Sequence, residues 1–221
     1  MNDITSRRRM LLASLNKSRL PEGYQEVAWL KGTGSQWCQT NFYPCAYSQN
    51  YIEIYGDITY RTNNSKFAFG AKWTDSDEYT YGLSLNGDYI TYYYGTSNNE
   101  YTSLRISNYG SLPLRIHFEL RSNKLILNEH EISRPITVFD QSTNPFCIGV
   151  LTSGSVLDND VEIKPITIYN RLSHTILTEL IPCYRISDDK AGFYQTKIPS
   201  GGTHFLTNRA SGADWIIGPV V

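Results

Sequence analysis

The sequence predicts an all-β protein, an antiparallel two-sheet sandwich or jelly roll, with a short basic arm in front of it. From residue 20 onward, short stretches alternate apolar and polar residues and are separated by Gly, Asn, Ser and Asp, which is the pattern of half-buried strands joined by turns. The chain of 221 residues contains 17 Tyr and 13% aromatic residues, and these residue types favour strands. No sustained helical period follows residue 20, so we expect two packed antiparallel sheets.

Two segments show the alternation most clearly. Residues 51–58 place Ile52, Ile54 and Ile58 on one face of a strand. Leu112 to Leu120 alternates apolar and polar residues over nine positions, and the turn residues that follow predict a hairpin into 124–128. Further strands are expected at 67–71, 79–85, 89–94, 102–107, 146–151, 163–169 and 176–183.

Charge separates an arm, residues 1–19, from a body, residues 20–221. The arm has a net charge of +4 (five basic residues, one acidic), whereas the body has −5 (15 basic, 20 acidic). The body therefore has no basic surplus for nucleic acid. Thr5 and Ser6 predict the cap of a short helix over 7–16. Two interpretations of the arm remain open, a solvated tail and an anchor that folds onto a partner, in which the anchoring residues are Arg7, Arg8, Arg9, Met10 and Leu11.

Neither a membrane span nor a cysteine-based site is expected. No apolar stretch approaches the roughly 18 residues that a transmembrane helix needs, and the apolar residues of the arm stop at Ser14, short of a signal sequence. The spacings of the four cysteines fit no paired zinc pattern. We expect free thiols, with a Cys38–Cys45 bridge as the alternative, at Cys38, Cys45, Cys147 and Cys183.

The sequence contains no recognisable catalytic constellation. Glu53 and Asp57 share the outer face of one predicted strand, but the alternating carboxylates of a sandwich glycosidase are missing. His117 falls on a polar strand face and is expected to be an ordinary exposed histidine. Carboxylates that calcium prefers occur in turns, but their spacing matches no ligand loop, so we expect no cofactor or metal at Asp75, Asp77, Glu78 and Asp88.

Tyrosines concentrate between residues 79 and 109. A tyrosine offers a flat apolar ring with a polar tip, which suits wet interfaces and stacking against sugar rings. Three of them are consecutive at 92–94, so they must alternate between the two faces of a strand and cannot all be core. We therefore predict a contact surface for a glycan or a second subunit at Tyr79, Tyr81, Tyr92, Tyr93, Tyr94 and Tyr101.

The beginning and end of the body resemble a known family. Residues 20–37, LPEGYQEVAWLKGTGSQW, with Thr40, resemble the start of the concanavalin A-like (laminin-G-like) domains of tailed-phage virion proteins and of prophages in gut bacteria. Ala28-Trp29 and Trp37-Cys38 depart mildly from the usual Glu-Tyr and Tyr-Ile. The C-terminal matches are Ile166 to Tyr169, Ile181 to Arg185, Ala191 to Tyr194, Phe205 to Asn208 and Ser211 to Gly218. In the opening segment, we interpret residues such as Tyr24, Val27, Trp29 and Leu30 as scaffold.

The resemblance implies a function that the residues alone do not. It implies a non-catalytic virion protein, a head or tail fibre or decoration protein, made in the host cytoplasm. Its arm would bind other virion proteins and its sandwich, as a homo-oligomer, would contact a host-surface glycan or neighbouring subunits. A carbohydrate-binding module of a bacterial surface protein is the alternative, and a glycoside hydrolase is the third class.

Overall fold

The computed structural model of the chain describes residues 19–43, 52–62, 66–72, 79–94, 101–121, 124–133, 144–149 and 160–221. These residues contain β-strands and a short 3-10 helix at Ile106–Asn108 but no α-helix, which confirms the predicted all-β class. The strands are β1 (Tyr24–Glu26), β2 (Leu30–Lys31), β3 (Cys38–Gln39), β4 (Ile52–Tyr60), β5 (Lys66–Lys72), β6 (Tyr79–Asn86), β7 (Tyr89–Tyr94), β8 (Tyr101–Arg105), β9 (Leu114–Arg121), β10 (Lys124–Leu127), β11 (His130–Ser133), β12 (Cys147–Ile148), β13 (Val161–Asn170), β14 (Thr175–Arg185), β15 (Lys190–Gln195), β16 (Phe205–Thr207) and β17 (Ile216–Ile217).

The strands form two antiparallel sheets. The larger sheet has eleven strands, and its main path is β11-β10-β9-β4-β13-β14-β15-β16. In the same sheet β1 pairs with β14, and β2 pairs with both β13 and β17. The smaller sheet has six strands in the order β3-β12-β5-β6-β7-β8. This is the two-sheet arrangement that the alternating pattern predicts.

One apolar core lies between the sheets and is built by alternation. On β9 the residues Leu114, Ile116, Phe118 and Leu120 are buried while their neighbours are more exposed. Phe118 meets Phe69 of the smaller sheet with ring centroids 5.0 Å apart. Burying apolar side chains of this size contributes about 1.5–3 kcal/mol each, so the alternation along β9 fixes which face of that strand packs on the smaller sheet.

Two strands have ends that differ by two residues from the predicted ends. The strand expected to include Leu112 begins at Leu114; Pro113, just before it, has no N–H to donate to a sheet. The strand expected at 102–107 ends at Arg105, after which the chain turns into the 3-10 helix. The expected helix at 7–16 lies outside the described residues.

The two ends of the described domain meet at Glu26 on β1. The Arg19 guanidinium binds the Glu26 carboxylate, with Nε 3.1 Å from Oε1, and Nη1 lies 3.8 Å from Glu179 Oε1. The Val221 N–H donates to the Glu26 carbonyl at 3.2 Å. Arg19, which the charge pattern assigns to the arm, therefore makes contacts that belong to the sandwich.

Candidate functional site

The backbone brings the predicted contact tyrosines onto three neighbouring strands. Tyr79 and Tyr81 lie on β6, Tyr92 to Tyr94 on β7 and Tyr101 on β8. The register pairs Tyr81 with Tyr94 and Tyr93 with Tyr101. Of these side chains only that of Tyr92 belongs to the described part; the side chains of the other five lie outside it.

Tyr92 is a core residue, so its assignment as a contact residue is wrong. Its side chain is 0% exposed, and its hydroxyl donates across the sandwich to the Arg121 carbonyl of the larger sheet at 3.3 Å. The physical reason is the pleat of β7, which turns Ile90 and Tyr92 to the same inner face. The consecutive tyrosines do require two faces, but the sequence did not show which member points inward.

The neighbouring Tyr89 lies on the opposite face of β7 and is 39% exposed. It is the cross-strand partner of Arg105 on β8. The Arg105 guanidinium carbon lies 5.9 Å from the centre of the Tyr89 ring, a cation–π contact of about 0.5–1 kcal/mol at an exposed site. This pairing holds an exposed aromatic ring and a cation side by side.

Tyr89 and Arg105 form one wall of a cleft of about 520 Å³ at the end of the smaller sheet. The β6–β7 turn forms another wall, and it is a two-residue loop in which Gly87 has a φ of 57°, a conformation that glycine adopts without strain. The Ile106 N–H donates to the Asp88 carbonyl at 2.8 Å, which fastens the 3-10 helix to this turn. The remaining lining residues are Ser107, Gly110 and Leu112.

The groups in this cleft suit non-covalent recognition. The cleft combines an exposed ring with the Asp88 carboxylate, the Arg105 guanidinium and the Ser107 hydroxyl. An aromatic surface with a few polar groups around it is the usual composition of small-ligand sites. Tyr89 lies in the tyrosine-rich region of the sequence, but no sequence pattern indicates Arg105 and Ser107, because their proximity to Tyr89 depends on the strand register.

The outer face of the larger sheet carries a charged network that includes Glu53 and Asp57, the two carboxylates that the sequence places on one strand face. Glu53, 4% exposed, accepts a hydrogen bond from the Tyr55 hydroxyl and lies 3.8 Å from Arg121 Nε. Burial and the adjacent Glu53 carboxylate raise the pKa of Tyr55. Asp57 lies 3.1 Å from His117 Nδ1, and His117 is exposed as predicted. Both carboxylates therefore face basic side chains.

The opening segment acts as scaffold, as its residue types indicate. Val27 and Leu30 are 0% exposed. Gln36, 2% exposed, accepts the Thr33 N–H at 2.8 Å and donates to the Ala213 carbonyl at 3.0 Å. These bonds tie the first loop to the last segment of the domain.

Three cysteines are described, and Cys38, Cys147 and Cys183 are all buried free thiols. Cys45, the partner in the alternative Cys38–Cys45 bridge, lies outside the described residues. Burial raises the pKa of Cys147 and of Cys183 to about 12 each, so neither is a reactive thiolate near neutral pH.

The remaining predictions concern metal ligands, the basic arm and membrane spans. Within the described ranges, no group of three or more His, Cys, Asp or Glu side chains is placed to hold a metal ion. Asp75, Asp77 and Glu78 lie outside those ranges, as do the arm residues Arg7, Arg8, Arg9, Met10 and Leu11. The helices that the structure describes include none long and apolar enough to cross a membrane.

Comparison with known proteins adds no identification. No protein-family model matches the chain, and no curated protein matches it either.

Proposed function

We propose that this chain is a non-catalytic structural protein of a tailed-phage virion, a head or tail fibre or decoration protein, whose sandwich contacts glycans or neighbouring subunits. The family resemblance of residues 20–37 and of the C-terminal segments supports the virion assignment. The two-sheet fold agrees with it, although a fold alone does not fix a function. The proposed contact function rests on the Tyr89–Arg105 cleft, whose chemistry favours a glycan over a neighbouring subunit.

The cleft favours a glycan because its chemistry matches both kinds of surface that a sugar presents. The C–H face of a sugar ring packs on an exposed aromatic ring, and here Tyr89 supplies that ring. The hydroxyls of the sugar need donors and acceptors at the edge, which Arg105, Asp88 and Ser107 supply. The turn and the 3-10 helix hold these groups in place before a ligand binds, which lowers the entropic cost of binding.

The basic arm provides attachment in this proposal. Residues 1–19 carry a net charge of +4 (five basic residues, one acidic), and the body does not share this charge. A short basic segment suits an acidic surface on another virion protein. A homo-oligomer would present several clefts together, which raises the apparent affinity for a multivalent glycan surface.

The absence of catalysis is also part of the proposal. Glu53 is engaged by Tyr55 and Arg121, and Asp57 lies beside His117, so neither is a free carboxylate poised over a cleft. We expect no release of reducing ends from β-glucan or related polysaccharides. Sustained release that Glu53→Gln or Asp57→Asn abolishes would contradict this.

The contact function is tested with two tyrosines of equal exposure. Tyr89 and Tyr43 are each 39% exposed, but only Tyr89 lines the cleft beside Arg105. On a glycan array, Tyr89→Ala should weaken binding to the glycans that the natural chain retains by at least about 5-fold, since contact aromatics often contribute more than ~1 kcal/mol. Tyr43→Ala should bind like the natural chain. Equal effects of the two changes would contradict the cleft as the site.

Two further measurements separate the alternatives. If Tyr89→Ala lowers the oligomer mass in solution while glycan binding is absent from the start, the cleft is a subunit contact. Mass spectrometry of purified phage particles from the source strain should detect this chain. Its presence on bacterial cell surfaces without particles would support the alternative, a carbohydrate-binding module, against the virion assignment.

A further inference from the structure

A second cleft lies on the outer face of the larger sheet, where β1, β14, β15 and β16 are neighbours. Its volume is about 640 Å³. It is separate from the main core, because Leu20, Ile181 and Cys183 form their own small buried cluster beneath it. The residues that define its chemistry are Tyr24, Arg185, Lys190, Tyr194, His204 and Phe205.

Three aromatic rings form the floor of this cleft. The Tyr24 ring meets the Tyr194 ring edge-on, with centroids 5.1 Å apart, and lies 5.3 Å from the Phe205 ring. All three pack against the buried cluster below yet remain partly exposed. The floor is therefore a fixed apolar surface that a ligand meets without rearranging it.

Two cations stand on one side of the floor. Arg185 and Lys190 are cross-strand partners on β14 and β15. The Arg185 guanidinium lies over Phe205, 5.0 Å from the ring centre, and Asp188 holds it through Nε to Oδ1 at 2.9 Å. Lys190 is exposed, and no described acidic residue lies within ion-pair distance of it. Arg185 is therefore the paired cation, and Lys190, which follows Asp189 in the turn between β14 and β15, is the cation without an ion pair to a described residue.

A histidine with a defined tautomer stands at the opposite edge. His204 Nδ1 lies 2.7 Å from the Gln195 carbonyl oxygen, and a carbonyl only accepts, so Nδ1 carries the hydrogen. The ring stacks on Tyr194 with centroids 5.1 Å apart and planes 11° from parallel. In the neutral ring, Nε2 is then an acceptor for a ligand hydroxyl.

We propose that this cleft binds a saccharide unit that carries a carboxylate. The apolar face of the sugar would rest on the aromatic floor, its carboxylate would lie toward Lys190 and Arg185, and a hydroxyl would donate to His204 Nε2. Nothing in this arrangement depends on the Tyr89–Arg105 cleft, which lies on the other sheet. The two sites differ in ligand, because no carboxylate side chain lines this cleft among the described residues, whereas Asp88 lines the first.

The test titrates the full ¹⁵N-labelled chain with 3′-sialyllactose and, separately, with lactose, which lacks the carboxylate. The acidic sugar should shift backbone signals of residues 190–194 and 203–207, and lactose should shift them much less. Lys190→Gln should weaken binding about 3- to 10-fold, because a charge-assisted contact is lost, and added salt should weaken binding by the natural chain. Lys124→Gln is the matched control, since Lys124 pairs with Glu131 on distant strands.

Either of two results overturns the proposal. One is equal binding of the two sugars, and the other is a Lys190→Gln variant that binds the acidic sugar as the natural chain does. Because signals are resolved by residue, shifts confined to 88–89 and 105–107 would support the first cleft while rejecting this one. Lys190 is exposed, so its replacement should leave the melting temperature unchanged, and a folding defect would not imitate the loss of binding.

Discussion

Two tyrosines show how the same buried group acts differently in two environments. Tyr60 and Tyr92 are both 0% exposed. The Tyr92 hydroxyl donates to the Arg121 carbonyl, whereas the Tyr60 hydroxyl has no hydrogen-bond partner among the described residues. A buried polar group without a partner loses its hydration and gains nothing in return.

Replacing each tyrosine by phenylalanine should therefore have different effects. Tyr92→Phe removes a hydrogen bond between the sheets and should lower the free energy of unfolding by about 0.5–1.5 kcal/mol. Tyr60→Phe removes an unpaired hydroxyl and should leave the free energy of unfolding unchanged or raise it. Urea unfolding with an unchanged m-value measures both. A larger loss for Tyr60→Phe than for Tyr92→Phe would contradict the assignment.

The buried thiols predict a pH dependence. Burial raises the pKa of Cys147 and of Cys183 to about 12, above the ~8.5 of an unfolded cysteine. Between these values the folded chain keeps protons that the unfolded chain has lost, so the stabilisation present below about pH 8.5 is lost as pH rises toward 12. The measurement is the free energy of unfolding from pH 8 to 10 for the natural chain and for a Cys147→Ala/Cys183→Ala variant.

The variant should show a shallower decline over that range, and parallel curves for the two proteins would contradict the burial argument. A Cys45→Ser chain gives an independent check, because it leaves only described thiols. At pH 8 its native state should not react with a thiol-specific disulfide reagent, and the unfolded state should react fully.

At the scale of elements, β15 and β16 approach each other closely at Gly192. A Cβ added to Gly192 would lie 2.4 Å from the Leu206 carbonyl oxygen and 3.0 Å from the Phe205 ring. Gly192→Ala should force the two strands apart and cost about 1–3 kcal/mol. Gly34→Ala, where no atom lies within 4 Å of the added carbon, should change stability by less than ~0.5 kcal/mol. Thermal unfolding of both variants tests this.

The sequence predicts those strands whose pattern is local. β4 and β9 alternate over many residues, and their bounds are nearly as expected. The short strands β2, β3 and β17 have two residues each, too few to show a period, so their pairing partners define them. β12, also of two residues, lies within the strand expected at 146–151. The sequence also predicts the tyrosine-rich hairpin of β6 and β7, because both strands and the turn between them lie close together in the chain.

Site residues were harder to predict because they depend on contacts between distant segments. Tyr24 and Phe205 are 181 positions apart in the chain, and only the register of β1, β14, β15 and β16 brings them together. Tyr24, Arg185, Tyr194 and Phe205 all belong to segments that carry the family resemblance, and for Tyr24 the predicted scaffold role did not suggest a cleft. No periodicity in one segment encodes a site assembled from four strands.

For the molecule as a whole, the contacts of Arg19 set the boundary of the arm. Glu26 has a side chain that is 7% exposed and that pairs with Arg19, itself 46% exposed. Removing residues 1–18 should leave the free energy of unfolding unchanged. Removing residues 1–19 should lower it by about 1–2 kcal/mol, because the nearly buried Glu26 carboxylate loses its cation. The loss is no larger because Arg19 is itself partly exposed. Urea unfolding compares the two truncations, and equal stabilities would contradict the contact.

The same truncation tests the attachment role. The chain without residues 1–18 should remain folded and should not join the virion, since it lacks Arg7, Arg8, Arg9, Met10 and Leu11. Particles assembled with the truncated and natural chains are compared by mass spectrometry. Normal incorporation of the truncated chain would contradict an anchor in the arm.

Arg19 and Val221 both contact Glu26, so the two ends of the described domain lie close together in space. Since the side chain of one glutamate holds the first described residue and its carbonyl holds the last, a flexible connector of a few residues can join them, at about 5–6 Å × √n. The chain can then be reopened at the exposed turn between β13 and β14, at Leu172 and Ser173. Such a circular permutant should keep the strand pairings of the described residues while changing the order of synthesis, as expected if the contacts that specify this fold do not depend on which strand comes first.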